Sequence, residues 1–389
     1  MKKYILLLFL NFLSIFIIST NNAYAIENPL TNPNNKIGMH ILFDHELIPA
    51  SKLINSTGGD WGYVTIVIQA GDKDLVKWQK FMDSAKQNHV IPIVRLSTEG
   101  DYFNTKVWRK PNDNDILDFA NFLDSLDWPV KNRYIIVFNE VNRAEEWGGE
   151  LSPAEYAKLL NYAITLFKSK NPDYFIISAG LDNAAPNQAN TYMNQYNFMR
   201  QMNISVPGIF SQIDGLSSHS YPNPAFSQHP SINSLTNINS FQYEQALAES
   251  LSNKKLPVFI TETGWSTEAI SDSIASNYYK IALNTVWDNP SIVAITPFLF
   301  QGQGGPFQKF SFVNSDNTYN QQYYAIKNYQ KTKGKPSLTK KVLSAETRLD
   351  KPNSVTTLKS LDFSKHEISK DRIIYPKPVG EIFKWLLRL

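Results

Sequence analysis

Strand-like and helix-like segments alternate along most of this chain, and this alternation constrains the fold more than any other feature. Eight short runs are apolar and rich in β-branched residues, and stretches with helical spacing of apolar residues separate them. The runs span residues 36–42, 62–68, 90–96, 133–138, 174–179, 213–218, 257–261 and 292–298. Such alternation is typical of a parallel sheet with crossover helices. Eight βα units over roughly 300 residues predict an α/β protein built as a (β/α)8 TIM barrel.

The N-terminus has the pattern of an export signal. Lys2 and Lys3 precede an apolar run, and residues 23–25 read Ala-Tyr-Ala, the small-x-small pattern of a signal peptidase site. We therefore predict a signal peptide over residues 1–25, with an uncleaved anchor as the alternative. The protein would then be secreted, periplasmic or at the cell surface. The chain has no cysteine, so an exported form would rely on packing and not on disulfides.

Charge is divided unevenly between the predicted barrel and a C-terminal extension. Residues 332–389 contain 13 Lys and Arg against 6 Asp and Glu, a net charge of +7. The whole chain carries +3, of which two belong to Lys2 and Lys3, so the barrel, residues 26–331, carries −6. An acidic body argues against nucleic acid as a partner. The basic extension reads as a linker ending in a short amphipathic helix at 381–389, which either docks on the barrel or contacts an anionic surface.

Two of the predicted strands end in a glutamate. The run YIIVF stops at Asn139-Glu140, and the run PVFIT stops at Glu262. The carboxyl ends of barrel strands share one face, where barrel enzymes carry out their chemistry. Cleavage of a glycosidic bond needs an acid to protonate the leaving oxygen and a carboxylate to capture or stabilise the oxocarbenium-like centre. We therefore predict that Glu140 and Glu262 are catalytic and that the substrate is a carbohydrate.

Further polar and aromatic residues stand at the predicted strand ends. Asn139 is placed to hydrogen-bond a sugar hydroxyl, Tyr221 to donate to a catalytic carboxylate, and Trp265 to stack on a sugar ring. The residues that we expect to bind substrate or to support the carboxylates are Asn139, Arg95, His219, Tyr221, Trp265, Gln301 and His40. The competing acids are expected to be solvated at the rim, and these are Glu99, Glu145, Glu146 and Glu268.

Taken together, these motifs resemble glycoside hydrolase clan A, the (β/α)8 retaining glycosidases. The resemblance rests on Asn139-Glu140 after YIIVF, on SHSY with His219 and Tyr221, and on ITETGW around Glu262. The TETGW segment is similar to the nucleophile segment of family 17, the plant and fungal β-1,3-glucanases. The His-x-Tyr pair is more like family 5, the cellulases and mannanases. The resemblance implies that Glu140 is the acid/base and Glu262 the nucleophile.

The resemblance covers residues 36–330 and leaves the C-terminal extension unexplained. One departure concerns the end of the eighth strand, where family 5 members usually carry a tryptophan. Here the segment TPFLFQGQGG offers Phe298, Phe300 and Gln301 instead. The departure bears on which sugar occupies the subsite at the cleavage point.

The sequence thus predicts a secreted retaining glycoside hydrolase that cleaves β-linked poly- or oligosaccharides by a two-glutamate double displacement. A transglycosylase on the same scaffold would use the same glutamates. A non-catalytic carbohydrate-binding barrel would be expected to have lost one of them, yet both are present. The histidines are scattered without a tight ligand pattern, so we expect no metal and no other cofactor. We also expect a monomer.

Overall fold

A computed structural model describes residues 26–99, 106–302 and 305–339 of the protein. The predicted signal peptide and the predicted helix at 381–389 lie outside these residues. No helix within the described ranges is long and apolar enough to cross a bilayer.

Eight parallel strands form the centre of the protein, in the order in which they occur in the chain. They are β1 (Gly38–Ile41), β2 (Gly62–Gln69), β3 (Val90–Ser97), β4 (Arg133–Ile136), β5 (Tyr174–Ile177), β6 (Leu216–His219), β7 (Val258–Glu262) and β8 (Ile292–Ile295). Strands β1 to β5 form one ladder and β6 to β8 a second. Single parallel bridges, Ile177 to Gly215 and Ile37 to Ile295, join the ladders at two seams. This order confirms the predicted (β/α)8 fold.

Helices follow the strands and cover their outer faces. They are α1 (Leu47–Ile54), α2 (Leu75–Gln87), α3 (Asp113–Asp124), α4 (Pro153–Lys170), α5 (Gln195–Ser205), α6 (Ile209–Gln212), α7 (Ser240–Ser252), α8 (Asp272–Asn284) and α9 (Gln321–Asn328). Helix α4 begins after Ser152, whose hydroxyl accepts the Glu155 N–H, while Pro153 occupies the first turn. The sequence pattern did not reveal α1, which has only eight residues and carries Pro49 in its first turn.

Alternate strand residues fill the interior of the barrel. Rings and branched side chains of the inner cluster, such as Tyr134 and Phe259, are buried, and the residues between them pack beneath the helices. Along each strand, every second side chain faces the interior, up to the carboxyl end of the strand. On β3 this alternation runs through Ile91 and Ile93 to Arg95, which therefore faces the interior near the carboxyl end of the barrel.

The amino-terminal face of the barrel is closed by residues 331–339, which we call the C-terminal strap. Isolated bridges pair the strap with Asp60 and Val130. The Ser337 carbonyl accepts the Lys131 N–H at 2.8 Å, and the Lys335 N–H donates to Pro33 at 2.8 Å. The described residues up to Thr339 belong to the same compact unit as the barrel.

Candidate active site

The carboxyl ends of β4, β6 and β7 bring the predicted catalytic residues together. A carboxylate oxygen of Glu140, one of Glu262 and a ring nitrogen of His219 all lie within 4.8 Å of one another. Glu262 and His219 are buried, and Glu140 is half-buried at the mouth. The same three atoms could coordinate a cation, although such a cation would compete with the guanidinium of Arg95, which already pairs with Glu262.

Local irregularities of the backbone aim both glutamates into the mouth. After β4, Phe138 and Glu140 adopt positive φ values of 69° and 27°, which non-glycine residues rarely do. Such strained conformations cluster at functional sites. On β7 the register shifts so that Ser218 pairs with Ile260 and His219 with Glu262, which leaves one extra residue in β7. A bulge of this kind re-aims the side chain that follows it.

The carboxylate of Glu262 has charged and neutral hydrogen-bond donors. Nη1 of Arg95 forms an ion pair with Oε1, and the hydroxyl of Tyr221 donates to Oε2 at 3.0 Å. Burial alone would raise the pKa of Glu262, but the charges of His219 and Arg95 outweigh it and lower the pKa to about 2. Glu262 is therefore held as a carboxylate.

Arg95 also connects the two halves of the site. Its Nη1 donates to Oδ1 of Asn139 at 2.7 Å as well as to Glu262. This bond orients the Asn139 amide with its nitrogen away from Arg95. Asn139 is half-buried, so the amide lies where a ligand in the mouth would meet it.

The carboxyl group of Glu140 lies between a histidine and an arginine. Nδ1 of His219 is 2.9 Å from Oε1, and Nε of Arg143 is 3.8 Å from Oε2. Burial would lower the pKa of His219, but the charges of Glu262 and Glu140 and the hydrogen bond to Glu140 raise it. Arg143 is itself held by Asp182, with Nη1 and Oδ2 3.0 Å apart. Sequence reasoning missed Arg143, although its position three residues after Glu140 was a usable signal.

Gly180 is a second residue that sequence reasoning missed. It follows β5, and its carbonyl accepts the Glu140 N–H at 3.0 Å. A Cβ at this position would lie 2.2 Å from Cδ2 and 2.3 Å from Nε2 of His219. The imidazole therefore occupies space that a side chain at residue 180 would take.

Trp265 does not lie in the mouth, contrary to the prediction that it stacks on a sugar. Its ring is fully buried, and its Nε1 donates to the Gln228 carbonyl at 2.9 Å. It packs against Tyr279 and Trp287, with ring centroids 4.9 and 5.8 Å away. A ring enclosed in this way presents no face to a substrate.

Two further residues predicted to bind substrate also have other surroundings. His40 is fully buried, so a substrate in the mouth cannot reach it, but its Nδ1 is 3.7 Å from Oε1 of Glu262. Gln301 follows β8 and donates to Asn317 at 3.3 Å. No hydrogen bond joins Gln301 to the paired glutamates within the part of the chain that the structure describes.

Glu146 differs from the solvated rim residue that the sequence suggested. It ends a short 3-10 helix, Ala144–Glu146, and its side chain is half-buried. Burial and the neighbouring charge of Glu140 raise its pKa to about 8. A third carboxyl group, protonated at neutral pH, therefore lies close to the pair.

No protein-family model and no curated protein sequence matches the chain. Solved structures of glycoside hydrolases do match it in fold. A family 39 glycoside hydrolase from the gut symbiont Bacteroides cellulosilyticus WH2 has 17% identity and a TM-score of 0.54, and the match covers 78% of this chain. This chain spans only 65% of the length of that protein.

Two other matches are of the same quality. A GH39 β-xylosidase from Caulobacter crescentus has 14% identity and a TM-score of 0.54, over 76% of this chain and 71% of that one. A GH5_18 protein from Streptomyces cattleya, solved with GlcNAc, has 14% identity and a TM-score of 0.55, over 76% and 79%. At such identities the matches show the fold alone, and at that level they confirm the resemblance to clan A.

Proposed function

We propose that this chain is a retaining glycoside hydrolase in which Glu262 is the nucleophile and Glu140 the acid/base. The observation that carries the proposal is the separation of the two carboxylates, whose oxygens lie within 4.8 Å of one another. Retaining enzymes place the two carboxyl groups about 5–5.5 Å apart, whereas inverting enzymes leave about 6.5–9.5 Å for a water molecule.

In the first step, Glu262 attacks the anomeric carbon and forms a glycosyl ester. The glycosidic C–O bond breaks, and Glu140 gives its proton to the leaving oxygen. Arg95 and Tyr221 support this role because they hold Glu262 ionised in one orientation. The bond between Tyr221 and Oε2 leaves Oε1 facing Arg95, so the two oxygens of the nucleophile are distinguished before substrate binds.

In the second step, water attacks the same carbon and Glu140 acts as a base. The carboxylate left after the first step takes a proton from the water, and Glu262 departs as a carboxylate. His219, 2.9 Å from Glu140, can donate to the carboxylate form and so stabilise Glu140 between its two roles. Asn139, held by Arg95, is the residue we assign to a sugar hydroxyl beside the scissile bond.

The substrate class in this proposal is a β-linked poly- or oligosaccharide. The names of the structural neighbours suggest where to begin, since one is a β-xylosidase and another was solved with GlcNAc. We also propose that the protein is exported, on the strength of the signal-like residues 1–25. The residues after the C-terminal strap, 340–389, are proposed to contact an anionic surface, which cosedimentation with anionic vesicles at two salt concentrations would test.

The decisive experiment measures sugar release by the purified protein on a panel of β-glucans, mannans, xylans and aryl β-glycosides. Glu262→Gln should lower the rate by about a thousandfold or more, because the nucleophile is lost. Glu268→Gln is a matched control, since Glu268 is an exposed acid whose contact is Lys309 at 3.5 Å. NMR of the first product should show the β anomer. Release of the α anomer, or no release on any substrate, would contradict the proposal, and transfer to an added sugar would reveal transglycosylation.

A further inference from the structure

His40 lies directly behind the proposed nucleophile. It belongs to β1, and its ring is fully buried. The edge of the ring meets Phe298, with centroids 5.0 Å apart and planes at 89°. Nδ1 is 3.7 Å from Oε1 of Glu262, just beyond hydrogen-bonding distance. The imidazole therefore forms part of the wall against which Glu262 rests.

Neither ring nitrogen of His40 makes a hydrogen bond of normal geometry within the described residues. The Thr261 carbonyl is close enough to favour a proton on the ring, but it does not make such a bond. Buried polar atoms without partners destabilise a folded protein, and each one in a native structure calls for an explanation. A phenylalanine would fill the same space without this loss, so packing does not account for a histidine here.

We propose that His40 is a positioning residue for Glu262, and that its uncharged imidazole donates from Nδ1 to Oε1 when the glycosyl ester forms. This inference rests on the proposed function. In the resting site Oε1 of Glu262 forms an ion pair with Arg95. Once Glu262 is an ester it carries no charge, and the attraction of Arg95 weakens. The adjacent neutral donor can then hold the oxygen after a movement of less than about 1 Å.

The lack of charge on His40 is itself useful for catalysis. Burial first, and then the charge of Arg95, lower its pKa to about 3, so it is neutral at working pH. A further cation beside Glu262, in addition to Arg95 and His219, would stabilise the resting carboxylate more than the transition state, in which the negative charge is partly consumed. A neutral donor can orient the Glu262 carboxyl group without stabilising its resting, charged form.

The test compares two substitutions of His40, one that keeps a donor at the position of Nδ1 and one that removes it. Asparagine places its side-chain nitrogen where Nδ1 of histidine stands, whereas phenylalanine keeps the ring and removes both nitrogens. We expect His40→Phe to lower kcat at least about tenfold with KM little changed, and His40→Asn to recover most of that loss. We also expect His40→Phe to raise the melting temperature by about 1–2 °C, because two unpartnered polar atoms are removed.

Gln322 provides a matched control. It lies on α9, is fully buried, and has both amide atoms without a hydrogen-bond partner among the described residues. Gln322→Leu should raise the melting temperature and leave kcat unchanged. The inference is overturned if His40→Phe has a kcat within twofold of the wild type, or if the Asn and Phe variants are equally impaired. An inactive wild-type protein, or an active Glu262→Gln variant, would instead overturn the proposed function itself.

Discussion

Gly180→Ala tests whether the position of one imidazole controls the proposed acid/base. The added Cβ would lie 2.2 Å from Cδ2 of His219, and ordinary contact begins at 3.4 Å, so the ring must move by about 1.2 Å. Gly180 does not adopt a left-handed φ, so the change adds volume without backbone strain. Moved by that much along the line from its Nδ1 to Oε1 of Glu140, the ring would lose the 2.9 Å contact between His219 and Glu140 unless Glu140 followed it.

The expected loss follows from that contact. A hydrogen bond to a charged group contributes about 1.5–3 kcal/mol, which corresponds to a fall in rate of roughly 10- to 150-fold. Because Glu140 is proposed to protonate the leaving oxygen, the loss should be greatest for aryl β-glycosides with poor leaving groups. Activated dinitrophenyl glycosides, which need no proton, should be affected least. The assay is therefore kcat for a series of aryl glycosides, with the melting temperature as a check on folding.

Gly71→Ala is the matched control. Among the described residues, a Cβ at Gly71 would meet only Cγ of Glu99 at 3.2 Å, the flexible side chain of an exposed residue, so kinetics close to the wild type are expected. Wild-type kcat for Gly180→Ala on poor leaving groups would refute the reasoning. An experimental structure of the variant with His219 and Glu140 unmoved would refute it equally.

Three further predictions follow from the same site and its supports. Glu140→Ala should keep activity mainly on dinitrophenyl glycosides, and added azide should partly restore its activity and give a β-glycosyl azide. An α-glycosyl azide as the product would show that the roles of Glu140 and Glu262 are reversed. The low pKa of Glu262, about 2, should place the acidic limb of the kcat/KM profile below about pH 4. Tyr221→Phe should move that limb to higher pH, because the carboxylate loses a hydrogen-bond donor. An unmoved limb would count against Glu262 as the group that titrates there. Burial raises the pKa of Glu244 to about 7 from 4.5, so folded Glu244 binds its proton more tightly than the unfolded chain does, and stability should fall by roughly 3 kcal/mol as pH rises between these values. Urea unfolding at pH 5 and pH 8 should show that Glu244→Gln lacks this difference in the free energy of unfolding. An equal change in that free energy between the two pH values in both proteins would contradict the prediction.

The barrel and the strand ends could be predicted because they depend on local patterns. Apolar runs of strand length predict buried parallel strands, and the polar residue that follows each run lies at the carboxyl end of that strand. This reasoning was enough to bring Glu140, Glu262 and Tyr221 to one mouth. It needs no knowledge of how distant segments pack.

What the sequence could not predict depends on departures from regular backbone. Strict alternation along β7 would direct Glu262 away from the interior, because Phe259 and Thr261 already face inwards, and the register shift beside His219 reverses this. Gly264, with φ of 152°, turns the chain after β7, and Trp265 then enters the core. The roles of Gly180 and His40 depend on contacts across the barrel, which no local pattern reveals.

The C-terminal strap also makes this barrel a candidate for circular permutation. The hydroxyl of Ser337 donates to a carboxylate oxygen of Glu27 at 2.6 Å, and Lys335 bonds to Pro33, so the first and last segments of the barrel run side by side. A short engineered link could join them, and new ends could be opened in a surface loop. Because the segments meet on the face opposite Glu140 and Glu262, a fusion partner or a solid support attached there would leave the mouth unobstructed.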